Sequence, residues 1–171
     1  MSRDLDLRRA ETAPFAASEG HRELFALAGE WEGPTRTWFE PSAAPDESVT
    51  TVHIESILGG RFLRVDYQGK VTGKPHAGEM LIGYDPGENR FTAVWVDSFH
   101  MSTAIMLSTG ERRADGVISV LGSYPAEGQR WGWRTVFKPL DDDHLTIEAY
   151  NISPAGRETR GIETLLSRKA R

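Results

Sequence analysis

From Trp31 to Arg168 the chain alternates apolar and polar residues with a period of two, and turn signals interrupt the alternation at short intervals. They fall at Pro41 to Pro45, Gly59-Gly60, Gly73 to Pro75, Asp85-Pro86-Gly87, Gly110, Asp115-Gly116, Gly128, Asp141 to Asp143 and Pro154 to Gly156. That punctuation predicts about nine or ten strands. No helical pattern long enough for a crossover separates them, so neighbouring strands must run antiparallel. An open meander of this length would expose two strand edges, whereas closure leaves none. The chain therefore reads as all-β, a single closed antiparallel barrel.

One short helix precedes the strands. Ser18 offers an N-cap side chain, and Leu24, Phe25, Leu27 and Ala28 keep helical spacing, which predicts a helix over roughly Arg22 to Ala28 that stops at Gly29. Residues 1–17 mix charge with small residues and are expected to form a mobile arm, leaving 18–171 as the barrel domain.

With 171 residues, 39% hydrophobic and 26% charged, the chain suits one soluble globule. A net charge of −5 gives no basic footprint, so neither nucleic acid nor an anionic membrane is an expected partner. Having no cysteine excludes disulfides, thiol nucleophiles and thiolate-bound metals. The charged start, Met1 to Arg9, lacks an export pattern, and a cytoplasmic location is expected. A homodimer is left open.

Alternation sends one set of side chains inward. It takes Val52, Ile54 and Leu58; Leu63, Val65 and Tyr67; Met80, Ile82 and Tyr84; and Phe91, Ala93, Trp95, Asp97 and Phe99. It continues through Thr103, Ile105 and Leu107; Ile118, Val120 and Tyr124; Trp131, Trp133, Thr135 and Phe137; and Leu145, Ile147, Ala149 and Asn151. His53, Glu55, Arg64, Asp66, Glu79, Arg134 and Glu148 fall on the opposite, solvent face.

Asp97 is the one acidic residue on an inward stripe, and a buried carboxylate needs a partner or takes up a proton. With parity placing Arg64 and Arg134 outside, the neutral form is expected unless His100, three residues on, lies close. Asp97 and His100 are thus the candidate proton-handling pair. Tyr67, Tyr84, Trp95, Tyr124 and Trp133 are the candidate ligand-binding residues, since rings with one polar tip suit an apolar molecule that must be oriented. His21, His53, His76, His100 and His144 are scattered singly without metal-ligand spacing, and no metal is expected. Asp141-Asp142-Asp143 lacks the alternation of a calcium loop and reads as a hairpin turn. No nucleophile elbow, dinucleotide fingerprint or phosphate loop occurs, so no cofactor is expected. Two functions remain: binding of a small, largely apolar or aromatic molecule in the barrel, or a cofactor-independent cyclase, isomerase or hydrolase using Asp97 and His100.

Several phrases carry a family resemblance: Leu27-Ala28-Gly29-Glu30-Trp31-Glu32-Gly33, Leu58-Gly59-Gly60-Arg61-Phe62-Leu63, Gly83-Tyr84-Asp85-Pro86, Trp95-Val96-Asp97-Ser98 and Gly122-Ser123-Tyr124. Together the chain from about Leu24 to Arg168 resembles the bacterial family catalogued as domain of unknown function 1579. The resemblance implies a lipocalin-like (calycin) barrel and names no reaction. By analogy with lipocalins, Gly29-Glu30-Trp31 would seat its indole under a basic residue from the last strand, for which Arg168 is the match. Haem-binding barrels with a similar opening use a late histidine. None follows His144, and haem is not expected.

Overall fold

The structure, a computed structural model, describes residues 15–170. Helix α1 (Glu19–Ala26) leads into ten strands: β1 (Gly29–Thr37), β2 (Asp46–Ile57), β3 (Phe62–Val71), β4 (Lys74–Asp85), β5 (Arg90–Asp97), β6 (Met106–Glu111), β7 (Ile118–Ala126), β8 (Gln129–Pro139), β9 (His144–Ile152) and β10 (Glu158–Arg168). Each strand pairs with the next, and β1 also pairs with β10, which closes the barrel. At that seam Trp31 stands opposite Arg168 and Thr35 opposite Thr164. Among the described residues no helix is long and apolar enough to cross a membrane.

Helix α1 begins earlier than its apolar spacing suggests because the Ser18 hydroxyl pairs with His21 Nδ1 at 2.8 Å and fixes the first turn. The helix ends at Ala26, with Leu27 as its C-cap, and Gly29 instead opens β1. His21 and Leu24 face the barrel. Gly20 rests on Tyr84, where a Cβ would come within 2.6 Å of the ring, so only glycine lets the helix settle this low. Residues 1–14 of the expected arm lie outside the described residues. Phe15 packs edge-on against His21 at 4.7 Å.

The helix plugs one end of the barrel. Below it Trp31 donates its indole N–H to Leu27 O at 2.9 Å, with Leu63, Ile82, Phe91 and Ile118 in the same buried core. Arg64 and Arg134 stay outside, paired with Glu55 and Glu158. Asp141 accepts from the Asp143 amide and from His144, closing the β8–β9 turn.

Two departures from the alternation stand out. Leu58 points into solvent because it sits at φ 51° in the β2–β3 turn, past the last strand residue. In β6 the phase is reversed: Met106 and Ser108 are buried, while Ile105 and Leu107 are exposed, Leu107 by 61%. The loop between β5 and β6 resets the count. Met106 stands opposite Trp95, so it shares that residue's inward side, and Phe99 and Thr103 lie in the loop on the surface.

A candidate ligand cavity with a His-Asp-His cluster

The end opposite α1 is built around the last residue of β5. Asp97 pairs with Gly78 of β4, and two bonds reinforce this edge: Ser98 N–H to Ala77 O at 2.9 Å, and Ala77 N–H to Ser98 Oγ at 3.0 Å. A Cβ on Gly78 would lie 2.2 Å from Tyr67 Oη and 2.8 Å from Asp97 Cβ, so glycine is what allows this approach. The Asp97 carboxylate is wholly buried. Its Oδ1 accepts the backbone N–H groups of Phe99 (3.3 Å), His100 (2.7 Å) and Met101 (3.2 Å), which winds the following loop around it. Its Oδ2 meets His100 Nδ1 at 2.5 Å and His76 Nε2 at 3.1 Å.

His100 does lie close, which is the condition under which Asp97 is expected to keep its charge. Burial pushes its pKa up, but hydrogen bonds from His100 and His76, the His100 charge and a backbone N–H outweigh burial and hold it well below the usual carboxylate range. Tyr67 moves the other way: burial raises its pKa against the bond from Trp95, and the neighbouring Asp97 charge adds to the rise. It therefore remains a phenol, accepting from Trp95 Nε1 at 2.8 Å.

Two cavities lie against this cluster. The first, about 100 Å³, has Tyr67, His76, Trp95, His100 and Trp133 in its wall, and Thr35 and Thr164 across from them. Those threonines form a buried hydroxyl chain, with Thr35 Oγ1 at 2.7 Å from Thr50 Oγ1 and 3.0 Å from Thr164 Oγ1. The second, about 180 Å³, shares Trp95, His100 and Trp133 and adds Trp38, Tyr124 and Asn151. The shared wall is an offset stack of Trp95 on Trp133, with centroids 5.7 Å apart and planes 7° from parallel. Tyr124 donates to Asn151 Oδ1 at 2.6 Å in the second cavity.

The structure thus brings together Asp97, His100, Tyr67, Trp95, Trp133 and Tyr124. It does not bring in Tyr84, which lies at the plugged end, 5.4 Å from His21 and bonded to Asn89. Trp131 borders an outer groove with Leu107 and Leu121. Asp97 borders neither cavity but an outer groove with His53, Asp66 and Glu79; both histidines line the first cavity and His100 alone the second. His76 is the residue the sequence reading missed. Stepping back from Met80 through Gly78 in the same parity reaches it, but a search for adjacent histidines does not.

A ten-stranded up-and-down barrel, plugged by a short helix and carrying a Gly-x-Trp opening under an arginine, is a lipocalin-like architecture. The chain belongs to the family "Protein of unknown function (DUF1579)", which it matches over residues 16–168. Among solved structures it is similar to Rv2717c from M. tuberculosis, with 18% identity, a TM-score of 0.60, and coverage of 91% of this chain and 100% of that one. It is also similar to the S-type phycobiliprotein lyase CPES from Guillardia theta, with 10% identity, a TM-score of 0.58, and coverage of 88% and 92%. At these identities the likeness is one of fold. No curated protein matches the sequence.

Proposed function

We propose that the barrel binds a small, largely apolar molecule whose core is a single ring or of similar size. The observation that carries this is the Trp95–Trp133 stack, which has a cavity on each side and polar atoms of Tyr67, His76 and His100 at its edge. An apolar cavity of about 150 Å³ holds benzene, so spaces of 100 and 180 Å³ suit a ring and exclude a long acyl chain without rearrangement. The indoles supply apolar contact, and the polar edge orients one donor or acceptor on the ligand.

The test is tryptophan fluorescence and thermal shift with a panel of single-ring compounds such as phenols, indole and benzoates. Saturable quenching with a raised melting temperature is expected. Both signals should weaken in Ala149→Phe, whose ring would fill the first cavity and leave only the second. A folded protein that no member of the panel quenches or stabilises would defeat the proposal.

A second reading is favoured by the short Asp97–His100 contact. A carboxylate on Nδ1 orients an imidazole, and His100 borders both cavities. In this reading the bound molecule undergoes proton transfer in an isomerisation, cyclisation or hydrolysis. Asp97→Asn would then retain binding and lose about 10²- to 10⁴-fold in turnover.

A further inference from the structure

We infer that His76, Asp97 and His100 form a binding site for a divalent first-row transition-metal ion such as zinc. The inference stands apart from the cavity-ligand proposal. Its basis is convergence: His76 Nε2, Asp97 Oδ2 and His100 Nδ1 all lie within 4.8 Å of one another. The three side chains come from β4, the end of β5 and the loop after it, so only the folded barrel brings them together.

The ligand atoms lie near the spacing an ion needs. Metal bonds of about 2.0–2.2 Å in a tetrahedral site place ligand atoms about 3.4 Å apart. The observed contacts to Asp97 Oδ2 are 3.1 Å for His76 and 2.5 Å for His100, and the two histidines' ligand atoms lie within 4.8 Å of each other, so accepting the ion takes an outward movement of His100 from the carboxylate. In the metal-free protein both ring nitrogens carry a proton aimed at one oxygen. With the ion bound, each neutral imidazole takes the other tautomer, with its proton on His76 Nδ1 and His100 Nε2, and turns a lone pair toward the metal. Two neutral imidazoles and one carboxylate are a normal ligand set for zinc or ferrous iron, and they leave the site with a single positive charge.

The surroundings support the same assignment. Asp97 Oδ1 is held by three backbone N–H groups, the outer-shell restraint that fixes a ligating carboxylate, while Oδ2 is left to the two histidines. The carboxylate is wholly buried, but the His76 and His100 side chains are 11% and 19% exposed and border the first cavity. An ion there has three protein ligands and a fourth position on the cavity side for water or a donor atom. That is the pattern of an open site rather than a structural one.

The experiment titrates the full-length, chelator-treated protein with zinc and cobalt(II). One equivalent should bind with micromolar or tighter affinity, and cobalt should show the visible absorption of a low-symmetry four- or five-coordinate site. His76→Gln and His100→Gln should each weaken binding by at least about tenfold, whereas His53→Gln and His144→Gln should leave it unchanged. Nitrogen-15 spectra of the wild-type histidine side chains need no substitution: zinc should shift His76 and His100 and spare His53 and His144. Failure of the folded wild type to bind either ion stoichiometrically would overturn the inference. Binding that shifts only His53 or His144, or that survives both glutamine substitutions, would overturn it as well.

Discussion

The Arg168 guanidinium lies over the Trp31 indole, 4.0 Å from the ring centroid, and also donates to Ala28 O at 2.7 Å and Asp142 O at 2.8 Å. One side chain thus ties the last strand to the end of the helix, to the first strand and to the β8–β9 turn. A Cβ on Gly29 would fall 2.1 Å from the same guanidinium, which explains the glycine two residues before the tryptophan. Trp31→Ala should cost about 3–5 kcal/mol, the range for a buried indole, read from urea unfolding. Arg168→Met keeps much of the packing and should cost less. Equal stability of Trp31→Ala and wild type would show that the plug is not where closure is stabilised.

The Asp97 pKa sets an acid dependence. A carboxylate held below its unfolded value of about 3.9 stabilises the fold fully above that value and loses the contribution as pH falls toward the lower, folded one. The metal-free wild type should therefore lose stability more steeply than Asp97→Asn between about pH 5 and pH 2. Urea midpoints for the two proteins across that window check this. Parallel curves would mean that Asp97 is not ionised in the fold.

At Gly33 and Gly110 a neighbouring strand's backbone occupies the space a side chain would need. A Cβ on Gly33 would sit 1.8 Å from Leu165 O across the β1–β10 seam, and one on Gly110 would sit 1.8 Å from Ser119 O across β6–β7. Backbone cannot step aside as a side-chain tip can. Alanine at either site should cost about 1–3 kcal/mol, as overpacking does, and calorimetric melting would detect it.

The reversed phase of β6 predicts opposite outcomes at adjacent residues. Met106 is buried beside Trp95, so Met106→Ala should cost about 2–5 kcal/mol. Leu107 is exposed, and Leu107→Lys should change stability by no more than about 0.5 kcal/mol. A large loss from Leu107→Lys with a mild Met106→Ala would restore the parity read from the sequence.

Much of the barrel was legible because its determinants are local. Turn residues mark where each strand ends, and two-residue alternation assigns its faces, so nine or ten strands, the closed meander and the inward stripes through Trp95, Asp97, Trp133 and Phe137 follow without tertiary information. Ser18 and the spacing of Leu24 and Leu27 are equally local and announce the helix, though its start shifted because His21 joins the cap. Parity within a strand does not survive an irregular loop, and for that reason the alternation of β5 does not predict the face of β6.

The site was legible only in part. Asp97 stood out as an acid among apolar neighbours, and His100 lay close enough in sequence to be paired with it. Tyr84 shares the inward parity of Tyr67 and Trp95 yet sits at the other end of the barrel, because parity gives a face but not a height along the axis. His76 is 21 residues from Asp97 and joins it only through the β4–β5 register. Alternation and turn chemistry, acting between near neighbours, let the sequence by itself determine a closed antiparallel barrel with a buried acid. Only the tertiary structure decided that two histidines meet that acid and that its carboxylate is charged. Register, shear and loop path are collective properties of all ten strands, and they set which distant side chains share one end of the barrel.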